Sequence, residues 1–388
     1  MPTYARRVAG YGPSIFAEIN ALARQHNAVN LSQGAPDFDA PTPVVAAAVA
    51  AVQSGLNQYA PSTGRPSLKE AVADHARIHY GLDLDPEHGV LIVAGASLGV
   101  FLAILGLVDP GDEVIVFEPT FDTYAPSIEM AGAVPRYVSL RPPTWDFDPA
   151  ELAAAFNRRT RAILVNTPHN PTGKVFSREE LAHIADLCQR WDCVAITDEV
   201  YEHLLYDGVK HVPLAALPGM FERTLTVSSS GKTFSATGWK IGWCSGPATL
   251  VEGAKRVHEY SIFAVVNPLQ EAVAAALRLP VSYYADLNAF YQPRRDFLAG
   301  ALREAGFTLA LPDALGAYYL MADISPVFDG DDMAFARYLA AEIGVTCIPA
   351  TAFCRPSEKG LFQKYVRFTF CKQEATLHAA AERLARLR

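Results

Sequence analysis

Lys232 and Lys240 stand in the stretch TLTVSSSGKTFSATGWKIG, residues 224–242. The stretch reads as a strand that ends in serines and a glycine and then presents Lys232, with Ser229 just upstream. Small residues let backbone and ligand approach closely. A lysine in a crowded, partly apolar loop beside a second cation has a depressed pKa. That is the condition for attack on a carbonyl, since only the neutral amine is nucleophilic. Asp198 ends the apolar run of ITDEVYEH, residues 196–203, and Tyr201 follows it. Such a carboxylate can pair with a protonated pyridine nitrogen, and the phenol can hydrogen-bond a ring hydroxyl. A strand-end aspartate that caps the next helix has the same sequence appearance. In NTPHNPTG, residues 166–173, two prolines fix a loop in which Asn170 offers a donor and an acceptor, although a plain turn reads alike. Arg367 in YVRFTF shares a strand face with Tyr365 and Thr369. A guanidinium there suits bidentate capture of a carboxylate, and an ordinary half-exposed strand arginine is the competing reading. At 93–98 a strand turns into a helix, so the amides of Ala96 and Ser97 form an anion site at a helix N-terminus. No GK[ST] or GxGxxG accompanies it.

The elements that must hold these residues alternate. Strands are expected at 90–94, 113–117, 161–166, 193–197, 224–228 and 240–244, each bounded by Gly, Pro, Asn or Asp. Helical patterns lie between them. The clearest covers 177–190 and opens with a Ser177/Glu180 capping box. This alternation predicts an α/β fold with a mostly parallel sheet covered by helices, which binds ligands where strands end. A helical region at 248–279 is interrupted by Pro268. After it come a helix at 291–305, short strands at 318–323, 345–349 and 365–370, and a closing helix at 374–388. The expected division is an arm (1–32) joining a smaller α/β unit (284–388), with a large unit at 33–283 between them.

The chain has 388 residues, half of them hydrophobic and 19% charged, which excludes a disordered or fibrous chain. Its net charge of −8 argues against a nucleic-acid partner, because phosphate neutralisation needs a basic face. The six cysteines show no C-x-x-C spacing and none lies beside a His-x-x-x-His tract. They read as free thiols in a reducing compartment, with no metal expected. The N-terminal residues lack an apolar signal core, so a cytoplasmic location is expected. Residues 89–108 contain no charge, enough to span a bilayer. A strand at 90–94, a turn, and a buried helix at 98–108 fit them better, and no membrane partner is expected.

Several long motifs stand in one order: NLSQGAPDF (30–38), NQYAPSTG (57–64), GDEVIVFEPTFDTYAP (111–126), NTPHNPTGKVF (166–176), TDEVYEH (197–203), SSGKTFSATGWKIGW (229–243) and YVRFTFCKQEATL (365–377). With them the chain resembles, nearly end to end, the fold-type I, pyridoxal-phosphate-dependent aminotransferases of class I. Within that class it is most similar to the kynurenine aminotransferase / glutamine transaminase K group, and in particular to bacterial methionine aminotransferases. The resemblance implies pyridoxal 5′-phosphate as cofactor. It implies that Lys232 forms the Schiff base and later moves protons, that Asp198 partners the pyridine nitrogen, and that Tyr201 and Asn170 hydrogen-bond the ring hydroxyl. It further implies that Phe121 stacks on the ring and that Ala96, Ser97, Ser229 and Lys240 hold the phosphate. Tyr59 would reach the phosphate of a neighbouring subunit, which implies a homodimer with shared sites. Arg367 would grip the substrate carboxylate, assisted by Asn170 and the backbone at Gly34.

Some positions depart from the group. Lys240 stands where class I enzymes often carry arginine. Phe16 falls at a pocket tryptophan, and Val265 and Val266 replace an aromatic and a histidine. The pocket is therefore expected to be apolar and roomy, with no second arginine. A neutral or apolar donor such as methionine, glutamine or an aromatic amino acid fits, with a 2-oxo acid as acceptor and ping-pong turnover. Two alternatives stay open: a kynurenine–oxoglutarate transaminase with a lyase side activity on cysteine S-conjugates, and a cofactor-binding regulator without catalysis.

Overall fold

Short apolar runs rich in β-branched residues bury both faces only inside a helix-covered sheet. The computed structural model, which describes residues 4–12, 14–309 and 314–387, places them in one. Thirteen strands are described: β1 Val29–Asn30, β2 Val90–Val93, β3 Glu113–Glu118, β4 Val134–Ser139, β5 Thr160–Asn166, β6 Val194–Asp198, β7 Thr224–Ser229, β8 Gly242–Ser245, β9 Thr308–Leu309, β10 Tyr319–Asp323, β11 Val345–Thr346, β12 Ile348–Pro349 and β13 Tyr365–Thr369. Seven of them form a sheet of order β2-β8-β7-β6-β5-β3-β4. Its pairs from β4 to β7 are parallel, and β8 runs antiparallel to both its neighbours. This is the mostly parallel sheet that the alternation predicts.

Register decides what this sheet gathers at its edge. Asn166, the last residue of β5, lies opposite Asp198, the last of β6. Gly242, the first residue of β8, lies opposite both Val93 of β2 and Ser229 of β7. The segments 93–97, 229–232 and 240–242 therefore meet at one level.

A second, antiparallel sheet has the order β12-β13-β10-β9, and Arg367 of β13 sits between Met321 and Ile348 of the flanking strands. β1 pairs with β11 in parallel, and Thr369 N–H donates to the Leu31 carbonyl at 2.8 Å. These bonds draw residues 29–34 alongside β13.

Helix Arg178–Trp191 carries the expected capping box, with Ser177 N–H donating to Glu180 Oε2 at 2.8 Å and Glu180 N–H to Ser177 Oγ at 3.1 Å. Its apolar stripe of Leu181, Ile184, Ala185, Leu187 and Cys188 is buried. The 248–279 region is two helices, Ala248–Ser261 and Asn267–Leu277, with Pro268 in the first turn of the second, where its missing N–H costs nothing. Other elements differ from expectation. β4 was not expected: it is an edge strand, which tolerates Pro135. The helix expected at 291–305 is Ser282–Glu304 and runs through Pro293. The run 345–349 is two strands that serve different sheets. The closing helix ends at Leu384, a 3₁₀ turn covers Ala385–Leu387, and residue 388 lies outside the described residues, as do residues 1–3 and 13 of the arm.

The uncharged run 89–108 is β2, a turn and helix Ala96–Leu107. Among the described residues no helix is long and apolar enough to cross a membrane. That helix packs against Ala248–Ser261 with Gly106 on Gly253, so closely that a Cβ at Gly106 would collide with the Gly253 backbone. Backbone cannot swing aside as a side-chain tip can. Gly106→Val should therefore destabilise the protein by about 2 kcal/mol or more despite the better helix propensity of valine. Thermal and urea unfolding would show the loss, and an unchanged midpoint would contradict the close approach.

Candidate active site

A cavity of about 290 Å³ opens at the carboxyl edge of the large sheet. Of the sequence-predicted residues it is lined by Phe16, Gly34, Ala96, Ser97, Phe121, Asn170, Asp198, Tyr201, Ser229, Lys232, Lys240 and Arg367. Tyr59 does not line it: its side chain is 85% exposed and packs edge-on against Phe263. Val265 is buried in the core and Val266 is exposed, so neither lines the cavity either.

One end of the cavity is an anion cradle. Helix Ala96–Leu107 starts at Gly95, which adopts φ +82° and has no side chain to cap the first-turn amides of Ala96 and Ser97. A Cβ on Gly95 would stand 3.1 Å from Lys240 Nζ and push that side chain aside by a few tenths of an ångström, and the positive φ by itself favours glycine. The short helix Ser230–Thr233 adds a second uncapped start, at Ser229.

At the middle, Asp198 is held at the end of β6. Tyr124 donates to its Oδ2 at 2.7 Å and Val200 N–H to its Oδ1 at 3.3 Å. Burial raises the Asp198 pKa to about 6, against the opposing pull of these donors. No helix follows Asp198, so helix capping is not its role. Lys232 leaves the one-turn helix Ser230–Thr233 rather than the crowded loop expected, and donates to the Gly34 carbonyl at 3.3 Å. Its Nζ lies 5.5 Å from the ring centres of Tyr201 and Tyr318. Burial lowers its pKa to about 8, Arg367 adds repulsion, and Lys240 contributes least. Burial, and not the neighbouring cation, therefore sets the lowered pKa of Lys232.

The far end belongs to Arg367, which is 1% exposed. Its Nη1 donates to Asn170 Oδ1 at 2.6 Å and its Nη2 to the Ser32 carbonyl at 2.9 Å. The Tyr319 ring lies 4.1 Å from the guanidinium, and Phe353 and Phe16 at 4.9 and 5.5 Å. Buried Nε has no partner among the described residues, a cost that an incoming carboxylate would relieve. Because Asn170 Oδ1 accepts from arginine, its amide nitrogen is left as the donor toward the cavity. The Tyr201 hydroxyl pairs with that of Tyr319 at 2.9 Å.

Sequence reasoning assigned no role to Tyr124, Tyr318 or Tyr319. Tyr124 lies inside the motif at 111–126, but its contact with Asp198 depends on two segments meeting across the sheet edge. Tyr318 donates to the Gly34 carbonyl at 2.7 Å.

The arrangement fits pyridoxal 5′-phosphate. The cradle suits a doubly charged phosphate, Asp198 suits a protonated ring nitrogen, and the Asn170 amide and Tyr201 hydroxyl suit a ring oxygen. Lys232 is an amine of lowered pKa in the same cavity.

Comparison with known proteins agrees. The aminotransferase class I and II family profile matches residues 26–384. The chain is 44% identical over 98% of its length to a probable N-succinyldiaminopimelate aminotransferase of Mycobacterium tuberculosis, covering 97% of that protein. The solved structure of the Mycobacterium tuberculosis N-succinyldiaminopimelate aminotransferase superposes with a TM-score of 0.96 over the whole of both chains. YbdL of Escherichia coli, described as having a methionine aminotransferase function, superposes with a TM-score of 0.94 at 39% identity, again over both whole chains. Human kynurenine–oxoglutarate transaminase 1 is 41% identical over 98% of this chain and 97% of its own. The chain therefore belongs to the class I and II aminotransferases, and is a pyridoxal 5′-phosphate-dependent aminotransferase of fold type I.

Proposed function

We propose that the chain moves the α-amino group of a neutral or apolar L-amino acid, such as methionine, glutamine or an aromatic residue, to a 2-oxo acid by a ping-pong mechanism. The observation that carries the donor class is the charge count of the cavity. Among the described residues its cations are Lys232, Lys240 and Arg367, and its one carboxylate is Asp198. With Lys240 at the phosphate cradle and Arg367 on the α-carboxylate, no arginine or lysine of the lining remains for an acidic side chain.

When bound, pyridoxal 5′-phosphate supplies an aldehyde and an electron-withdrawing ring that stabilises charge developing at the donor α-carbon. The chain supplies the rest. Arg367 would fix the donor carboxylate, and Asn170 Oδ1 holds the guanidinium by accepting from its Nη1 at 2.6 Å. Lys232 Nζ, its pKa lowered by burial, accepts the proton from the donor Cα. Asp198, held by Tyr124, would keep the ring nitrogen protonated. Tyr201 and Asn170 orient the ring oxygen, Phe121 covers the ring, and Ala96, Ser97, Ser229 and Lys240 hold the phosphate.

We further infer a homodimer in which Tyr59 completes the partner's phosphate site. Support comes from the apolar surface around it: Tyr59, Tyr260, Phe263 and Val266 are exposed, as is the stripe Val45, Val49 and Val52 on helix Thr42–Gln53. The arm (1–32) joining a small unit (284–388) around a large one (33–283) is part of the same reading, supported by the pairing of β1 with β11. A cytoplasmic setting is supported by six unpaired cysteines. A second reading, kynurenine as donor with a lyase side activity on cysteine S-conjugates, is favoured by the likeness to the human kynurenine enzyme.

A donor panel of methionine, glutamine, phenylalanine, kynurenine, aspartate and N-succinyl-diaminopimelate decides among these. The neutral donors should exceed aspartate in kcat/KM by at least about 100-fold, and Arg367→Lys should lower all of them alike with cofactor content intact. A preference for the succinylated or another acidic donor would refute the charge count. Tyr59→Phe should weaken cofactor retention by about 10-fold in a dimer, whereas a fully active monomer would refute shared sites.

Asp198 also generates a stability prediction. Its pKa lies near 6 when folded against an ordinary 3.8, so the folded chain pays for its charge above pH 6 and not below pH 4. About two units correspond to roughly 3 kcal/mol. Cofactor-free Asp198→Asn should melt at a higher temperature than cofactor-free wild type at pH 8, and the gain should fade toward pH 4. Equal midpoints at pH 8 would contradict the raised pKa.

A further inference from the structure

We propose that His75, His79 and His203 bind one zinc ion, with three imidazole ligands and a fourth position left to water. Helix Pro66–Tyr80 places His75 and His79 one turn apart on the same face. His203 comes from the turn after β6, in the same ITDEVYEH segment that carries Asp198 and Tyr201. The three ring centres lie 4.5 to 4.9 Å from one another. One ligand nitrogen from each residue falls within 4.8 Å of the other two, and His75 Nε2 is 2.7 Å from His203 Nε2. Tetrahedral zinc with nitrogen bonds of about 2.05 Å needs nitrogen separations of about 3.3 Å. The ion would replace the His75–His203 hydrogen bond, with His79, the least buried of the three, turning inward.

Two further observations point to a cation here. Glu202 is buried and forms no ion pair among the described residues; its Oε1 accepts from Ser228 Oγ at 2.7 Å. His211 also acts electrostatically on Glu202 but is bonded to Glu199, so two buried carboxylates share one imidazole, and a divalent ion beside Glu202 would offset that cost. The Tyr284 hydroxyl is buried with no hydrogen-bond partner among the described residues, and its ring centre lies 4.1 Å from that of His203. A metal-bound water would supply the partner that this hydroxyl lacks. The expectation of no metal rested on cysteine spacing. It did not weigh the His75-x-x-x-His79 pair, whose third ligand is remote in sequence. Bound there, the ion would fasten helix Pro66–Tyr80 to the turn that follows Asp198.

The test uses tag-free holoenzyme, stripped with a chelator and titrated with zinc chloride by calorimetry. The expected result is one equivalent per chain, bound more tightly than about 1 μM. Cobalt chloride should give the visible bands of four-coordinate cobalt at the same stoichiometry. His79→Ala, and the volume-conserving His79→Gln, should weaken zinc more than about 100-fold, beyond the loss typical of an outer-shell partner. Both should abolish the cobalt bands. Absence of stoichiometric binding in wild type, or tight binding that persists in either His79 variant, overturns the site.

Discussion

The common level at which parallel strands end is the constraint from which the site follows. β5, β6 and β7 finish side by side, and β8 starts there because it runs the other way. A strand slipped by one residue would turn Asp198 to the opposite face of the sheet. Backbone hydrogen bonding along the whole sheet therefore fixes where the carboxylate points. The helix starts at Ala96 and Ser230 inherit their positions from the same edge.

The cavity gathers like charges that would separate in water. Lys232, Lys240 and Arg367 share about 290 Å³ with a single carboxylate. Burial shifts Asp198 and Lys232 in opposite directions, each toward its neutral form. The fold carries this cost through neighbours that cannot relax: Tyr124 on Asp198, the Gly34 carbonyl on Lys232, and Asn170 with Ser32 on Arg367. Such preset polarity is what a site needs if it is to favour charge that appears only during reaction.

Much of this was legible in the sequence because it is local. The capping box at Ser177, the strand ending at Asp198, and the strand–turn–helix before Ser97 are written in adjacent residues. Twelve of the thirteen expected site residues line one cavity. The exception, Tyr59, faces outward. What escaped notice depends on distant partners. Tyr124 matters because its hydroxyl reaches Asp198 across the sheet edge, and Tyr318 because it reaches Gly34. The weight of the cation beside Lys232 was misjudged for the same reason: burial is a property of the whole fold. β4 was hidden by Pro135, which only an edge position makes harmless.

The stretch from Ser32 to Gly34 has a double attachment. The Ser32 carbonyl receives Arg367 and the Gly34 carbonyl receives Lys232. Three consecutive residues thus act as a short tether between Arg367 and Lys232. A displacement of these residues would therefore disturb both hydrogen bonds at once.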